Sequence, residues 1–273
     1  MQTLNTRYKL HLRRRKIILT LLILLGSWGT AFAQNNPTDN LINYDKQWIH
    51  YGFMMGIHSS KYVIKHSEAF TSPAFNNLHS IVPGNLGGFK LMFVIDMRIA
   101  EFLSFRMPPG ASFYEYDLTF RYTAPNRTEI RELKSPTMVE LPLLLKYKSV
   151  RRGNIAMYTV FGIKPSLEAS GRGDEIDVEE NIKTKNWDVA IDVGVGLDLF
   201  YPYFKFSPEI RYSYGLRNML TGEPNEFNTG LSRVTTQNLG IFMSFEGGPD
   251  NSGNKKAGKI KKAKKRKIKD DRG

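Results

Sequence analysis

Every second residue from Trp187 to Leu199 is apolar: Trp187, Val189, Ile191, Val193, Val195, Leu197, Leu199. The intervening positions are Asp188, Ala190, Asp192, Gly194, Gly196 and Asp198. A period of two is the signature of a β-strand, whose successive side chains leave on opposite faces. The run exceeds the usual strand of about 5–6 residues. It suits a tilted strand that crosses a bilayer, which needs about 9–11 residues.

The pattern recurs along the chain. Ile49, Tyr51, Phe53, Met55 and Ile57 share one face of a first strand, with His50, Gly52, Met54, Gly56 and His58 opposite. The second strand sets Phe89, Leu91, Phe93, Ile95 and Met97 against Lys90, Met92, Val94, Asp96 and Arg98. The third begins Leu103, Phe105, Met107, is broken by Pro108-Pro109-Gly110, and resumes with an outward set of Phe113, Tyr114, Tyr116, Leu118 and Phe120. The fourth and fifth put Val139 to Tyr147 and Ile155 to Ile163 outside, with Glu140, Lys146, Lys164 and Glu168 inside. The Trp187–Leu199 run is the sixth. In the seventh, Phe204, Phe206, Ile210, Tyr212 and Tyr214 oppose Lys205, Ser207, Glu209, Arg211 and Ser213. The eighth places Leu239, Ile241, Met243 and Phe245 on one face.

Long polar segments at 61–86, 123–136, 169–186 and 217–232 alternate with short turns near Ala100, at Arg151–Asn154 and at Tyr201–Tyr203. That alternation, with Tyr and Trp near strand ends, predicts an all-β, eight-stranded antiparallel up-and-down transmembrane barrel. Four prolines, Pro109, Pro142, Pro165 and Pro208, remove ladder donors and are expected at bulges or beyond the bilayer.

Charge and composition refine this layout. Arg13-Arg14-Arg15-Lys16, the apolar run Ile17 to Leu25 and Ala31-Phe32-Ala33 form a secretory signal peptide over 1–33. Residues 34–47 are expected as a periplasmic lead-in, 48–246 as the barrel and 247–273 as a disordered lysine-rich periplasmic tail. The chain lacks cysteine, so disulfides and thiol chemistry are excluded. Its +13 charge comes from the leader and the tail, since residues 34–249 hold 22 basic and 23 acidic side chains.

An eight-stranded barrel is just wide enough for side chains to fill. The inner face predicts a charge network of Lys90, Asp96, Arg98, Arg106, Glu140, Lys146, Lys164, Glu168, Asp188, Asp192, Asp198, Lys205, Glu209 and Arg211. These groups are expected to pair across the lumen, giving a plugged core in place of a pore. Asp188, Asp192 and Asp198 are spread along a strand and read as partners for lysine and arginine, not as a calcium loop. His50 and His58 lie about 25 Å apart along a strand, and His58 beside Ser59 and Ser60 lacks a third member for a hydrolase. Gly194-Val195-Gly196 sits inside a strand and lacks the helix of a nucleotide loop. No catalytic, cofactor or metal residue is expected, and neither nucleic acid nor a small-molecule substrate. In the tail, Lys255, Lys256, Lys259, Lys261, Lys262, Lys264, Lys265, Arg266 and Lys267 form either a solvated run or a contact for acidic partners or lipid headgroups.

The chain resembles the PorT family of Bacteroidetes outer-membrane barrels. The likeness is carried by Tyr44-Asp45-Lys46-Gln47-Trp48-Ile49-His50-Tyr51-Gly52-Phe53, by Phe102-Leu103-Ser104-Phe105-Arg106-Met107-Pro108-Pro109-Gly110, and above all by Val139-Glu140-Leu141-Pro142-Leu143-Leu144-Leu145-Lys146-Tyr147-Lys148-Ser149. It covers most of residues 44–246. The resemblance implies a non-enzymatic accessory role in type IX secretion and gliding motility, in the outer membrane with both termini periplasmic, among outer-membrane lipid and other secretion-system proteins. A filled barrel limits that role to assembly or partner docking. The rival readings are a small passive porin, a general OmpX-like structural barrel and a lipid-modifying barrel enzyme.

Overall fold

Thirteen antiparallel strands make up nearly all of this computed structural model, which describes residues 40–41, 43–71, 78–123, 129–169, 184–221 and 230–247. They are β1 (Ile49–His66), β2 (Leu78–Pro83), β3 (Leu86–Arg98), β4 (Leu103–Met107), β5 (Gly110–Phe113), β6 (Tyr116–Tyr122), β7 (Glu129–Lys134), β8 (Thr137–Glu140), β9 (Leu143–Lys148), β10 (Ile155–Glu168), β11 (Trp187–Phe200), β12 (Phe204–Gly215) and β13 (Leu231–Gly247). The signal peptide, the lysine-rich tail and most of the expected third and fourth loops lie outside the described residues.

Ten strands close into a ring. β1 pairs with β13 and β3, and the order continues through β12, β11 and β10. Two positions in the ring are each built from two short strands end to end: β4 with β5, and β9 with β8. The result is the expected eight-stranded up-and-down barrel. The closed ring leaves no edge on which unpaired backbone groups meet lipid.

The apolar set of each strand faces out. Phe53, Leu91, Leu145, Phe161, Val195, Ile210 and Ile241 are all exposed, forming the hydrocarbon-facing band. Trp48, Tyr147, Tyr201 and Tyr203 edge it at the short-turn end, as interfacial aromatics do.

Each of the four prolines sits where a ladder is interrupted. Pro109 lies between β4 and β5, and its carbonyl accepts from Phe93 N–H at 2.8 Å. Pro142 separates β8 from β9, and Pro165 stands across from that gap, where β10 changes partner. At Pro208 the β11–β12 pairing skips from Gly196–Glu209 to Leu199–Phe206. The missing N–H leaves no donor to pair at these points.

Two expected loops proved to be sheet. β1 continues to His66, and β2, β6 and β7 form a separate three-stranded sheet beyond the ring. The outward assignment of Tyr114, Tyr116, Leu118 and Phe120 is also corrected: Phe113 faces out, but these four are buried. They pack with Tyr62, Leu78, Ile81, Met138, Leu231 and Val234 into an apolar cluster across the long-loop end of the barrel. The alternation runs unbroken from buried Ser112 and exposed Phe113 into buried Tyr114, Tyr116, Leu118 and Phe120, so these four share the inward parity of Ser112.

Gly153 turns the β9–β10 hairpin at φ 59°, the left-handed region that glycine enters without penalty. Gly162 serves by its lack of a side chain, since a Cβ there would lie 2.0 Å from the Leu143 carbonyl oxygen. Gly162→Ala is expected to destabilise the barrel by about 1–3 kcal/mol. A lowered urea midpoint in the refolded protein checks it, and a wild-type midpoint would refute it.

Candidate functional site

Among the described residues the inner face holds six cations and seven carboxylates, all buried: Lys90, Arg106, Lys146, Lys164, Lys205 and Arg211 with Asp96, Glu140, Asp188, Asp192, Asp198, Glu209 and Glu246. Their alternation along the strands aims them inward. The stagger of the ring then sets which of them share a level.

At the short-turn half, Arg106 of β4 has 0% side-chain exposure. Its guanidinium meets Asp96 at 3.3 Å and, across the lumen, Glu209 at 3.2 Å and Glu246. Lys205 reaches Glu246 at 2.7 Å and Asp198 at 3.7 Å. Lys146 reaches Asp198 at 2.8 Å and Asp96 at 3.8 Å. Ser207 donates to Asp198 at 2.7 Å, and Tyr158 donates to Glu209 at 2.9 Å. Arg211 pairs with Glu209 and lies 3.7 Å from Asp192. Nearly every charge has two or more opposite neighbours, which offsets the cost of removing it from water.

The long-loop half is organised on Glu140. Lys90 reaches it at 2.8 Å and Lys164 at 3.1 Å. The Tyr114 hydroxyl donates to the same carboxylate and accepts from Asn238 at 3.2 Å. Asp188 is held by the Thr236 hydroxyl at 2.6 Å and the Val189 N–H at 2.8 Å.

Arg98 is a correction. It is the last residue of β3, still paired with Ser104 of β4, but its side chain is exposed and donates to the carbonyls of Asp45 and Ala100. Glu168 lies near the long-loop end and pairs with Lys134 at 3.5 Å.

Glu246 and Tyr44 were missed by sequence reasoning. Glu246 lies one residue past the expected end of the eighth strand, and continuing the alternation from Ser244 would have found it. Tyr44 carries no periodic signal. It sits in a short 3-10 turn, Tyr44–Lys46, in what reads as a polar lead-in. Its ring stacks on His50 with centroids 3.9 Å apart, and its hydroxyl donates to Glu246 at 2.7 Å. Burial first, then Glu246, pushes its phenol well above the usual range, so it remains a neutral donor. Asn40 fastens the segment through Asn154 and the Phe200 carbonyl, and Asp45 pairs with Lys148. The lead-in is therefore a stopper in the short-turn mouth.

Two small cavities interrupt this packing, one of about 30 Å³ beside Tyr62, Tyr114 and Asp188 and one of about 40 Å³ beside Tyr44 and His50. At about 10–15 Å³ for each water, they have room for a few waters and not for a larger solute. His58 packs at a tilt against Tyr114, with ring centroids 4.6 Å apart, and the Ser60 hydroxyl donates to the Glu115 carbonyl at 2.9 Å. The geometry thus directs serine and histidine to separate partners.

A family profile described as "Outer membrane protein beta-barrel domain" matches residues 32–221, well over half of the chain. No curated protein matches. Among solved structures, OprG from Pseudomonas aeruginosa is 11% identical with a TM-score of 0.41, covering 73% of this chain and 93% of its own. Neisserial surface protein A is 12% identical with a TM-score of 0.37, covering 71% and 95%. Ail, the attachment invasion locus protein of Yersinia pestis, is 11% identical with a TM-score of 0.32, covering 73% and 99%.

Proposed function

This chain belongs to the outer membrane protein β-barrel domain family, and from that premise we propose that it is a non-enzymatic component supporting type IX protein secretion by assembly or partner docking. The observation that carries the non-conduit part is the filled lumen. Arg106, Arg211, Lys90, Glu140, Glu209 and Glu246 are among the largest fully buried side chains, and they occupy the axis along which cargo would pass. The secretion part rests on the resemblance of residues 44–53, 102–110 and 139–149 to the PorT family. In this reading the short-turn end and both termini face the periplasm, as in other barrels with short periplasmic turns.

Two measurements test it. A gentle-detergent pull-down from the native envelope should recover secretion-system proteins, and loss of the chain should abolish export of their cargo. Continued export in its absence would refute the secretion role. In planar bilayers the purified barrel should give no steady conductance, whereas stable single-channel steps would favour the passive porin.

The basic tail is the proposed periplasmic contact, since dense charge runs often serve as interaction tails. Deleting residues 250–273 should leave the barrel folded and at least halve co-purification of a periplasmic or peripheral partner. Unchanged recovery and unchanged secretion would remove the tail from the mechanism.

A further inference from the structure

The outer wall of β1 and β13 changes character just beyond the apolar band, toward the long-loop end. Ser60 and Tyr62 point inward and are buried, so the alternation sets Lys61, Val63 and Lys65 outward. On β13, Val234, Thr236 and Asn238 are buried and point inward, which sets Arg233 and Gln237 outward, while Thr235 on that same face is itself buried. The register pairs Lys61 with Gln237 and Lys65 with Arg233.

Like charges directly opposed on neighbouring strands destabilise a sheet. Lys65 and Arg233 are such a pair, and Lys61 stands about 13 Å along the same face. Among the described residues no carboxylate lies within ion-pair distance of Lys61, Lys65 or Arg233. The Leu216 carbonyl accepts from the Arg233 guanidinium at 2.8 Å while that side chain stays exposed. The repulsion is therefore uncompensated within this part of the chain.

Immediately below the patch, Ile57, Leu239 and Ile241 are exposed on the same two strands. A cationic cluster abutting an alkyl-facing surface matches an anionic amphiphile: charge-assisted bonds to the head, dispersion contact along the chains. An acidic protein would satisfy the cations and leave the adjoining apolar wall to something else.

We infer that Lys61, Lys65 and Arg233 form a docking site for the phosphates of a bisphosphorylated glycolipid in the outer leaflet, with its acyl chains lying along Ile57, Leu239 and Ile241. This placement rests on the proposed orientation, in which the long-loop end faces outward. It does not depend on the secretion role.

The test uses the mature protein in detergent micelles. The probes are bisphosphorylated lipid A, the same lipid A after removal of its phosphates, and inorganic phosphate. Bound lipid is read by native mass spectrometry. The combined Lys61→Gln, Lys65→Gln, Arg233→Gln variant should bind the phosphorylated lipid at least tenfold more weakly. Lys65→Arg should retain binding. Removing the phosphates should weaken binding to the wild-type barrel equally. Equal binding by wild type and the triple variant would overturn the site. Inorganic phosphate binding as tightly as the lipid would reduce it to a simple anion site and overturn the lipid assignment. Heat-modified gel migration verifies that the triple variant is folded.

The chain has no cysteine, so Lys65→Cys offers a single handle in intact cells. Labelling by a membrane-impermeant maleimide should succeed from outside. Failure to label overturns the outer-leaflet placement, and it does so separately from any result on secretion.

Discussion

Arg106→Ala should be the most damaging single substitution in the barrel, lowering its unfolding free energy by about 3–5 kcal/mol. The side chain is fully buried and contacts Asp96, Glu209 and Glu246, which come from three different strands. Truncation leaves those carboxylates with fewer partners in a space that water enters poorly. Lys205 still serves Glu246, and Arg211 still serves Glu209, so the barrel should remain foldable. Arg106→Lys keeps the charge but loses the planar fork that spans three acceptors, and its loss should fall between wild type and alanine. The control is Arg121→Ala on the outer sheet. Its ion pair with Glu129 is 56% and 54% exposed, and such pairs contribute about 0–1 kcal/mol. Urea titration of the refolded barrel, followed by its tryptophan fluorescence, separates the cases. An Arg106→Ala midpoint no lower than that of Arg121→Ala would show that the lumen network contributes nothing to stability.

The second large effect is expected at Glu140. Glu140→Gln removes the shared carboxylate of Lys90 and Lys164 and leaves two ammonium groups facing each other beside Tyr114. Breaking a buried pair in this way costs about 3–5 kcal/mol. Replacing all three together is a different matter. Lys90→Met, Glu140→Met, Lys164→Met exchanges a buried triad for apolar groups of similar length, and such exchanges range from neutral to about 1–4 kcal/mol stabilising. The single variant should therefore be less stable than the triple. If the triple variant is the weaker of the two, the carboxylate's hydrogen-bond geometry, and not charge balance, governs this half of the lumen.

These two clusters also show how far the sequence could be read. Lys90, Glu140, Lys146, Lys164 and Arg211 each sit opposite an apolar neighbour in a period-two run, and that alone assigns them to the inner face. Nothing local says that Arg106 meets Glu209 and Glu246, more than a hundred residues away. Arg98 shares the same parity yet is exposed, because it is the last residue of its strand and its side chain turns to the carbonyls of Asp45 and Ala100 at the mouth. Parity names a face but not the point at which the wall ends.

The segment around Tyr114 shows the opposite failure. Tyr114, Tyr116, Leu118 and Phe120 alternate with Glu115, Asp117, Thr119 and Arg121, so the period of two is plain, but it does not say that the apolar face has turned from lipid to a protein cluster. The packing decided it: the four share the inward parity of Ser112, and the cluster with Tyr62, Ile81 and Val234 covers them. Tyr44 belongs to the same category, since it lies in a non-periodic stretch and its place is given only by His50 and Glu246.

The amino-acid order alone determined the eight strands of the wall and the side on which most charged groups lie, because backbone pleating acts between neighbours. Only the closed ring decided which cation neutralises which carboxylate, where Pro208 interrupts the ladder, and how the two mouths are stopped. Those outcomes depend on strand stagger, and stagger is set by pairing across the whole circumference.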